Sequence, residues 1–363
     1  MMQTRTRRIS LAQQLRTGLL LALPLLLIVN GILWSGYTTL VERQREQWRY
    51  HAESGLDAAL ITIQMVRNDL YGDLLMLADS PNLKAALDES TAVHLARLAA
   101  EWEVFAAVKR RYDQIRWLDN RGMERLRVNL NPQGASRIGD DRLQDKSDRY
   151  YFKQAIAMPV GQVYASPIDL NIEHGEIERP NKPMLRLAVP VTDSRGVRRG
   201  LLLLNVLAEQ ILDGLARHAG LIQSHLLLID STGYYLWGFQ RDQEWGFMFR
   251  LEDDARYRFD KHYPSVWRQM VQRGLGEVDT PQGQFLFRTL RYGSEGFGLR
   301  YYLVAARLRD ELRDAQTHQR QLWLSASLAV SLALLLLAFG VAYYRAYCLA
   351  ANESASGREG QSS

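Results

Sequence analysis

Two long apolar runs decide what this chain can fold into. The first, "GLLLALPLLLIVNGILW", extends from Gly18 to Trp34, and the second, "LWLSASLAVSLALLLLAFGVAYY", from Leu322 to Tyr344. A membrane-crossing helix needs about 20 mostly apolar residues, whereas a signal-peptide core needs about 7–15. The second run is expected to span. The first is expected to span uncleaved, because Ile32–Leu40 offers no small-x-small cleavage site. Arg5, Arg7, Arg8 and Arg16 precede it with no acidic residue among them, which places the N-terminus in the cytoplasm. Residues from about 40 to 320 would then be exported.

The 363 residues are 47% hydrophobic, enough for one large core or two small ones. A net charge of +5, dispersed along the chain, does not suggest nucleic acid. The single cysteine, Cys348, falls after the second run, so the exported region must fold on apolar packing without disulfides.

From Val41 to Ala78 no proline interrupts, and Leu56, Leu60, Ile63, Leu70, Leu74 and Leu77 repeat at helical spacing. This predicts one helix on the order of 55 Å long, able to pack on its own domain or on a second copy. Ser80-Pro81 breaks it, and a helical pattern resumes over Ala92–Arg111. Strands follow. Three turns share Asp-x-x-Gly: Asp119/Gly122, Asp193/Gly196 and Asp230/Gly233. Asp can bond the turn backbone while Gly takes the positive φ. Their recurrence predicts two similar modules in tandem. In the first, Ser147 is expected to cap a short helix over 147–157. "GQVYASPIDL" reads as a strand, "NIEHGEIERPNKP" as a polar loop, and "MLRLAVPV" and "GLLLLNVL" as buried strands. In the second module, a helix around "PSVWRQMVQRG" precedes "GEVDTPQGQFLFRTLRY" and "GLRYYLVAARL".

Catalytic signatures are missing: there is no HExxH, Walker loop or GxSxG, and the seven histidines lack metal-ligand spacing. Acidic pairs such as Glu176/Glu178 and Asp253/Asp254 sit in polar loops. No cofactor and no metal are expected. The informative residues are polar ones in buried strands. Arg186 lies opposite the Leu185, Leu187, Val189, Val191 face, and Asn205 interrupts a leucine run. A polar group left unpaired in a core costs about 1–3 kcal/mol, so each needs a partner, internal or bound. Asp169 and Glu173 could serve Arg186. Together Arg149, Tyr151, Tyr164, Asp169, Arg186 and Asn205 point to a small-molecule pocket with aromatic walls.

The stretches "DQIRWLDNRGMERLRVN", "LQDKSDRYYFKQA" and "VYASPIDLNIEHGEIERPNKPMLRLAVPVTDSRGVRRGLLLLN" resemble the double Cache sensor regions of bacterial histidine kinases, diguanylate cyclases and chemoreceptors. The resemblance is specific over Asp113–Asn205 and weaker beyond. It implies an α+β fold: a tandem PAS-like extracytoplasmic region on a long N-terminal helix, flanked by two transmembrane helices. The expected order is an N-terminus at 1–17, a span at 18–38, a helical stalk at 39–112 and a membrane-distal ligand-binding module at 113–212. A membrane-proximal module at 213–310, a connecting helix at 311–321, a span at 322–344 and a tail at 345–363 follow. In the amino-acid-binding branch an Arg-x-Trp-Tyr pattern opens the pocket helix. Arg149, Tyr151 and Phe152 stand at the matching positions, so the carboxylate-binding arginine is kept and both aromatics are replaced. That branch's amine-binding aspartate would fall near Asn205, which carries no charge. A carboxylate or other small polar anion is therefore expected rather than a standard amino acid.

The expected function is that of a bacterial inner-membrane receptor with a periplasmic sensor. It would dimerise through the 41–78 helix and relay a shift through the second span. After that span only "RAYCLAANESASGREGQSS" remains. The expectation is a non-enzymatic sensor acting on a separate output protein. The alternatives are the sensor half of a truncated diguanylate cyclase or histidine kinase, and a non-sensing adaptor that docks a protein partner.

Overall fold

The computed structural model describes residues 11–173, 176–222, 224–249, 254–292 and 299–359. Arg5, Arg7, Arg8, His174, Asp253 and the last four residues of the tail lie outside them. The chain divides into two units. One comprises residues 1–47 and 310–363, and the other residues 48–309.

Helix α1 (Leu11–Ala78) contributes to both units and contains the first apolar run. In the second unit its buried side chains include Trp48, Ala52, Leu56, Ala59, Ile63, Leu70, Leu74 and Leu77, largely the predicted stripe. The first helix ends at Ser80-Pro81 as expected, but a short helix not anticipated from sequence, α2 (Pro81–Asp88), starts there at once: the Ser80 hydroxyl accepts from the amides of Asn82 and Leu83, with Pro81 at the first position. Thr91 caps α3 (Ala92–Lys109), and α3 ends at Arg110 in a left-handed conformation, φ 50°. Helix α3 packs on the sheet that follows.

Strands β1 (Tyr112–Leu118), β2 (Glu124–Asn131) and β3 (Gly134–Arg137) precede α4 (Tyr150–Ile156). Short segments β4 (Tyr164–Ala165) and β5 (Asp169–Leu170) and the hairpin β6 (Ile172–Glu173) and β7 (Glu176–Ile177) come next. The long strands β8 (Pro183–Thr192) and β9 (Arg198–Leu207) close the sheet. Its order is β3-β2-β1-β9-β8-β4, with β5 also on β8. Helix α5 (Glu209–Ile222) leads to β10 (His225–Asp230) and β11 (Tyr235–Trp237). Helices α6 (Phe259–His262) and α7 (Pro264–Arg273) precede β12 (Leu275–Thr280), β13 (Gly283–Tyr292) and β14 (Leu299–Leu308). The second sheet runs β11-β10-β14-β13-β12. In both sheets the first and last long strands are central neighbours, so the tandem predicted from the turns is a repeat of topology.

Those turns are built alike. Asp119 accepts from the amides of Arg121 and Met123, Asp193 from those of Arg195 and Val197, and Asp230 from those of Thr232 and Tyr234. Gly122 and Gly233 take φ 91° and 97°, which a side chain would strain.

One core joins α1 and α3 to a single face of each sheet. The opposite face of the second sheet is filled by Phe259, Tyr263, Val266 and Met270 against Phe285, Phe287 and Tyr302. The corresponding face of the first sheet has a smaller apolar patch, Leu118, Ala188, Leu201 and Leu203 under Tyr151, Phe152 and Ala155. The rest of that face is polar.

Glu244, half-buried beside β11, gives this second module a pH response. Burial pushes its carboxyl up to about 7, against the lowering pull of the Gly238 amide, Arg241 and Trp245. A carboxyl raised on folding stabilises the protein below the unfolded value and ceases to do so as pH rises through the folded one. Between pH 4.5 and 7.5 the wild type should lose roughly 1–2 kcal/mol relative to Glu244→Gln. Paired denaturation curves at the two pH values check this, and parallel curves would refute it.

Candidate functional site

The polar face of the first sheet is assembled by strand pairing. Antiparallel register sets Asn129 beside Gln114, Gln114 beside Asn205, and Asn205 beside Arg186. The adjacent row runs Arg127, Arg116, Leu203, Ala188, Tyr164. Residues two apart on a strand share a face, so these two rows form one surface. A bulge in β2 shifts the register, leaving Arg125 exposed, with Glu124 opposite Leu118 and Arg127 opposite Arg116. Positions three apart normally face opposite ways; the bulge puts Glu124 and Arg127 on the same side.

Glu124 is almost wholly buried. It accepts from Arg127 at 3.0 Å and from the Gln144 amide at 3.0 Å, with Arg116 Nε 3.6 Å away. Arg186, 3% exposed, donates to Asp169 at 2.5 Å. The other Asp169 oxygen accepts from the Tyr150 hydroxyl at 2.7 Å. Tyr151 is the meeting point. Arg186 lies 5.3 Å and Arg149 5.9 Å from its ring centre, and Arg116 donates to its hydroxyl at 3.4 Å. Asn205 donates to Gln114 at 3.3 Å, while its own buried carbonyl oxygen has no partner. The Nε atoms of Arg116 and Arg127 are likewise buried without a hydrogen bond.

Charge on this surface is unbalanced. Lys146 is held below the usual lysine range by burial and by Arg116, Arg149 and Arg127, against an opposing pull from Glu124. Burial and the Asp169 charge push the Tyr150 phenol up, despite the opposing Arg186. Five cations (Arg116, Arg127, Lys146, Arg149 and Arg186) thus surround two carboxylates, each already bonded to an arginine. An open cleft of about 480 Å³ adjoins them, lined by Gln114, Arg127, Asn129, Asp141, Arg142, Leu143 and Gln144.

The structure gathers the residues expected from sequence around this face. Asp169 and Arg186 form the anticipated internal pair, Tyr151 sits against Arg186, and Asn205 lies next to Arg186 in register. Tyr164 is turned to Gln154, donating at 2.7 Å. Arg149 stands at the start of α4 over Tyr151. Ser147 does not cap that helix: α4 starts at Tyr150, with Arg149 at the cap position and no side-chain cap bond. Ser147 instead follows a turn in which its amide donates to Asp145, and it packs against Gly122. "GQVYASPIDL" is not one strand but the two short pieces β4 and β5, and the polar loop carries the β6–β7 hairpin. Sequence reasoning missed Gln114, Arg116, Glu124, Arg127, Asn129 and Tyr150. The period-two alternation in "YDQIRWL" and "ERLRVNLN" was the available signal.

Residues 62–300 match the family model for the bacterial histidine kinase sensor domain. Among solved structures, a domain of a protein assigned to the sensory box/GGDEF family from Vibrio parahaemolyticus is 24% identical. It superposes with TM-score 0.63, covering 73% of this chain and 99% of that one. The extracellular domain of vpHK1S-Z8, assigned as a histidine kinase, is also 24% identical with TM-score 0.63, covering 75% and 96%. The ligand-binding domain of Campylobacter jejuni chemoreceptor Tlp3, in complex with 4-methylisoleucine, is 10% identical with TM-score 0.50, covering 73% and 92%. No curated protein matches the sequence. The α+β fold of two topologically repeated sheets on a long helix is of the Cache type, and the chain belongs to the bacterial histidine kinase sensor-domain family.

Proposed function

We propose that the chain is a membrane receptor that senses a small carboxylate or similar anion at the polar face of its first sheet. The observation carrying this reading is the contrast between the two modules. The second fills its outer face with aromatic side chains; the first keeps five cations there around two committed carboxylates. Desolvated cations without counter-charges are costly, and a bound anion offsets that cost. A standard amino acid would need a carboxylate free for its ammonium group. Glu124 and Asp169 are both engaged, Asn205 is neutral, and Asp141 on the adjoining cleft is solvent-exposed beside Arg142.

In this reading residues 113–212 are the membrane-distal module, residues 213–310 the proximal one, and the region lies in the periplasm between spans at 18–38 and 322–344. Among the described residues, two helices are long and apolar enough to cross a membrane: α1, and α8 (Arg309–Glu359), which continues directly from β14. Asn30 donates to Ser331 at 3.0 Å and accepts from Ser327, and Gly18 meets the Phe339 ring. Interhelical polar bonds and small-residue contacts of this kind hold membrane helices in register. Ile61, Met65, Leu75 and Met76 form an exposed apolar stripe on α1, which supports dimerisation through 41–78. The ligand would draw α4 towards β8 and β9, shift β14 and move α8, provided its affinity differs between the two states.

Thermal melting of the full chain in detergent tests the reading. A binding carboxylate at about 100 times its Kd should raise Tm by roughly 5–10 °C, and Arg149→Ala should weaken binding at least tenfold. An equal response to simple amines, or an unchanged Arg149→Ala titration, would count against it.

A further inference from the structure

The second module carries a separate cationic cleft, on residues that the first site does not use. Arg273, Arg288, Thr289, Arg291, Arg300 and Leu60 line an open space of about 420 Å³. Its wall is fixed by the Thr289 hydroxyl, which donates to the Gly274 carbonyl at 2.6 Å and pins the end of α7 to β13. Arg288 has a carboxylate partner, Asp57 on α1, 3.0 Å from its Nε. Among the described residues, no carboxylate pairs with Arg273, Arg291 or Arg300.

Arg273 has a local reason to be cationic, since it closes α7 where the helix dipole favours positive charge. Arg291 and Arg300 have none. They are directly opposite each other on β13 and β14, an arrangement in which like charges destabilise a strand pair. Both are exposed, so neither is buried to satisfy the core. The opposed pair, with Arg273 on the same cleft, makes a planar-donor cluster suited to several oxygens of one ligand.

We propose that this cleft binds a small multiply charged oxyanion of the phosphate or sulfate type. Two or more guanidinium groups would share its oxygens, and the repulsion between Arg291 and Arg300 would become a bidentate clamp. The site has a route to the rest of the molecule. Arg288 ties it to α1 through Asp57, and Arg300 lies near the start of β14, whose far end continues into α8. An anion held there stiffens the junction of α1 with the strand that leads to α8, giving the receptor a second input.

The test uses the full chain in detergent carrying Arg149→Ala, so that the first module's anion response is suppressed. Inorganic phosphate and sulfate are titrated at constant ionic strength, with sodium chloride as the balancing salt and acetate as the monovalent control. Saturable stabilisation by phosphate and sulfate is expected, with acetate at least tenfold weaker. Adding Arg291→Gln and Arg300→Gln should abolish that response. In anion-free, low-salt buffer the same pair of changes should raise Tm, because it removes the repulsion. Equal shifts with chloride would reduce the effect to screening and overturn the proposal. A phosphate titration unaltered by the arginine changes would overturn it as well. A chain with Arg149 intact that shows no carboxylate response, while this phosphate response persists, would refute only the earlier reading.

Discussion

Asp73→Asn should destabilise the sensor region by about 2–4 kcal/mol, the scale set by removing one partner from a buried ion network. Asp73 lies on α1 and is 7% exposed. It accepts from Lys109 at 2.8 Å, from Arg111 and from the Tyr112 hydroxyl. Burial alone would raise its carboxyl. The bonds from Lys109, Tyr112 and Arg111 outweigh that and hold it below the usual range. A carboxylate lowered on folding contributes stability above its unfolded pKa, near 4, and loses it as pH falls through the folded value. The gap between wild type and Asp73→Asn should therefore be full at pH 7 and close as pH drops below about 4. Urea denaturation at pH 7 and pH 3 gives both numbers. A gap no narrower at pH 3 than at pH 7 would mean that packing, rather than charge, accounts for the loss. The network also matters for the site, because Arg111 and Tyr112 lead straight into β1, which presents Gln114 and Arg116.

The features legible in the sequence were those whose cause is local. Asp-x-x-Gly builds its turn from five residues, so three turns and the repeat they imply could be read directly. The break at Ser80-Pro81 is local too, as is the apolar stripe of α1. Arg186 and Asn205 stood out because they interrupt strands that are apolar on both faces. Arg116 and Arg127 did not stand out, because a charged residue on an alternating strand ordinarily faces solvent. Only the placement of β1 between β2 and β9 buries that side, and this pairing joins segments some 90 residues apart. The β2 bulge that aligns Glu124 with Arg127 leaves no mark in composition. Ser147 is not the cap because the helix begins only at Tyr150; the Ser147 backbone lies close against Gly122, where the neighbouring Lys146 amide donates to the Gly122 carbonyl.

Arg186→Met should cost about 3 kcal/mol, since it removes the arginine partner of the Asp169 carboxylate and leaves Tyr150 to bond it. Asp169→Asn should cost less, because Arg186 retains the face of the Tyr151 ring. The double variant should recover part of the loss, with a coupling of about 2 kcal/mol. Denaturation of the four proteins in parallel measures that coupling, and a value near zero would show that the pair is not energetically joined. The same set also separates two roles that the geometry allows for Arg186. If the arginine only neutralises Asp169, the double variant restores both stability and carboxylate binding. If it also touches the ligand, stability returns but binding stays at least tenfold weaker. The second outcome is expected, because Arg186 shares the Tyr151 ring with Arg149, the other arginine assigned to the ligand's negative group. A group placed solely to balance Asp169 would have no need of that position.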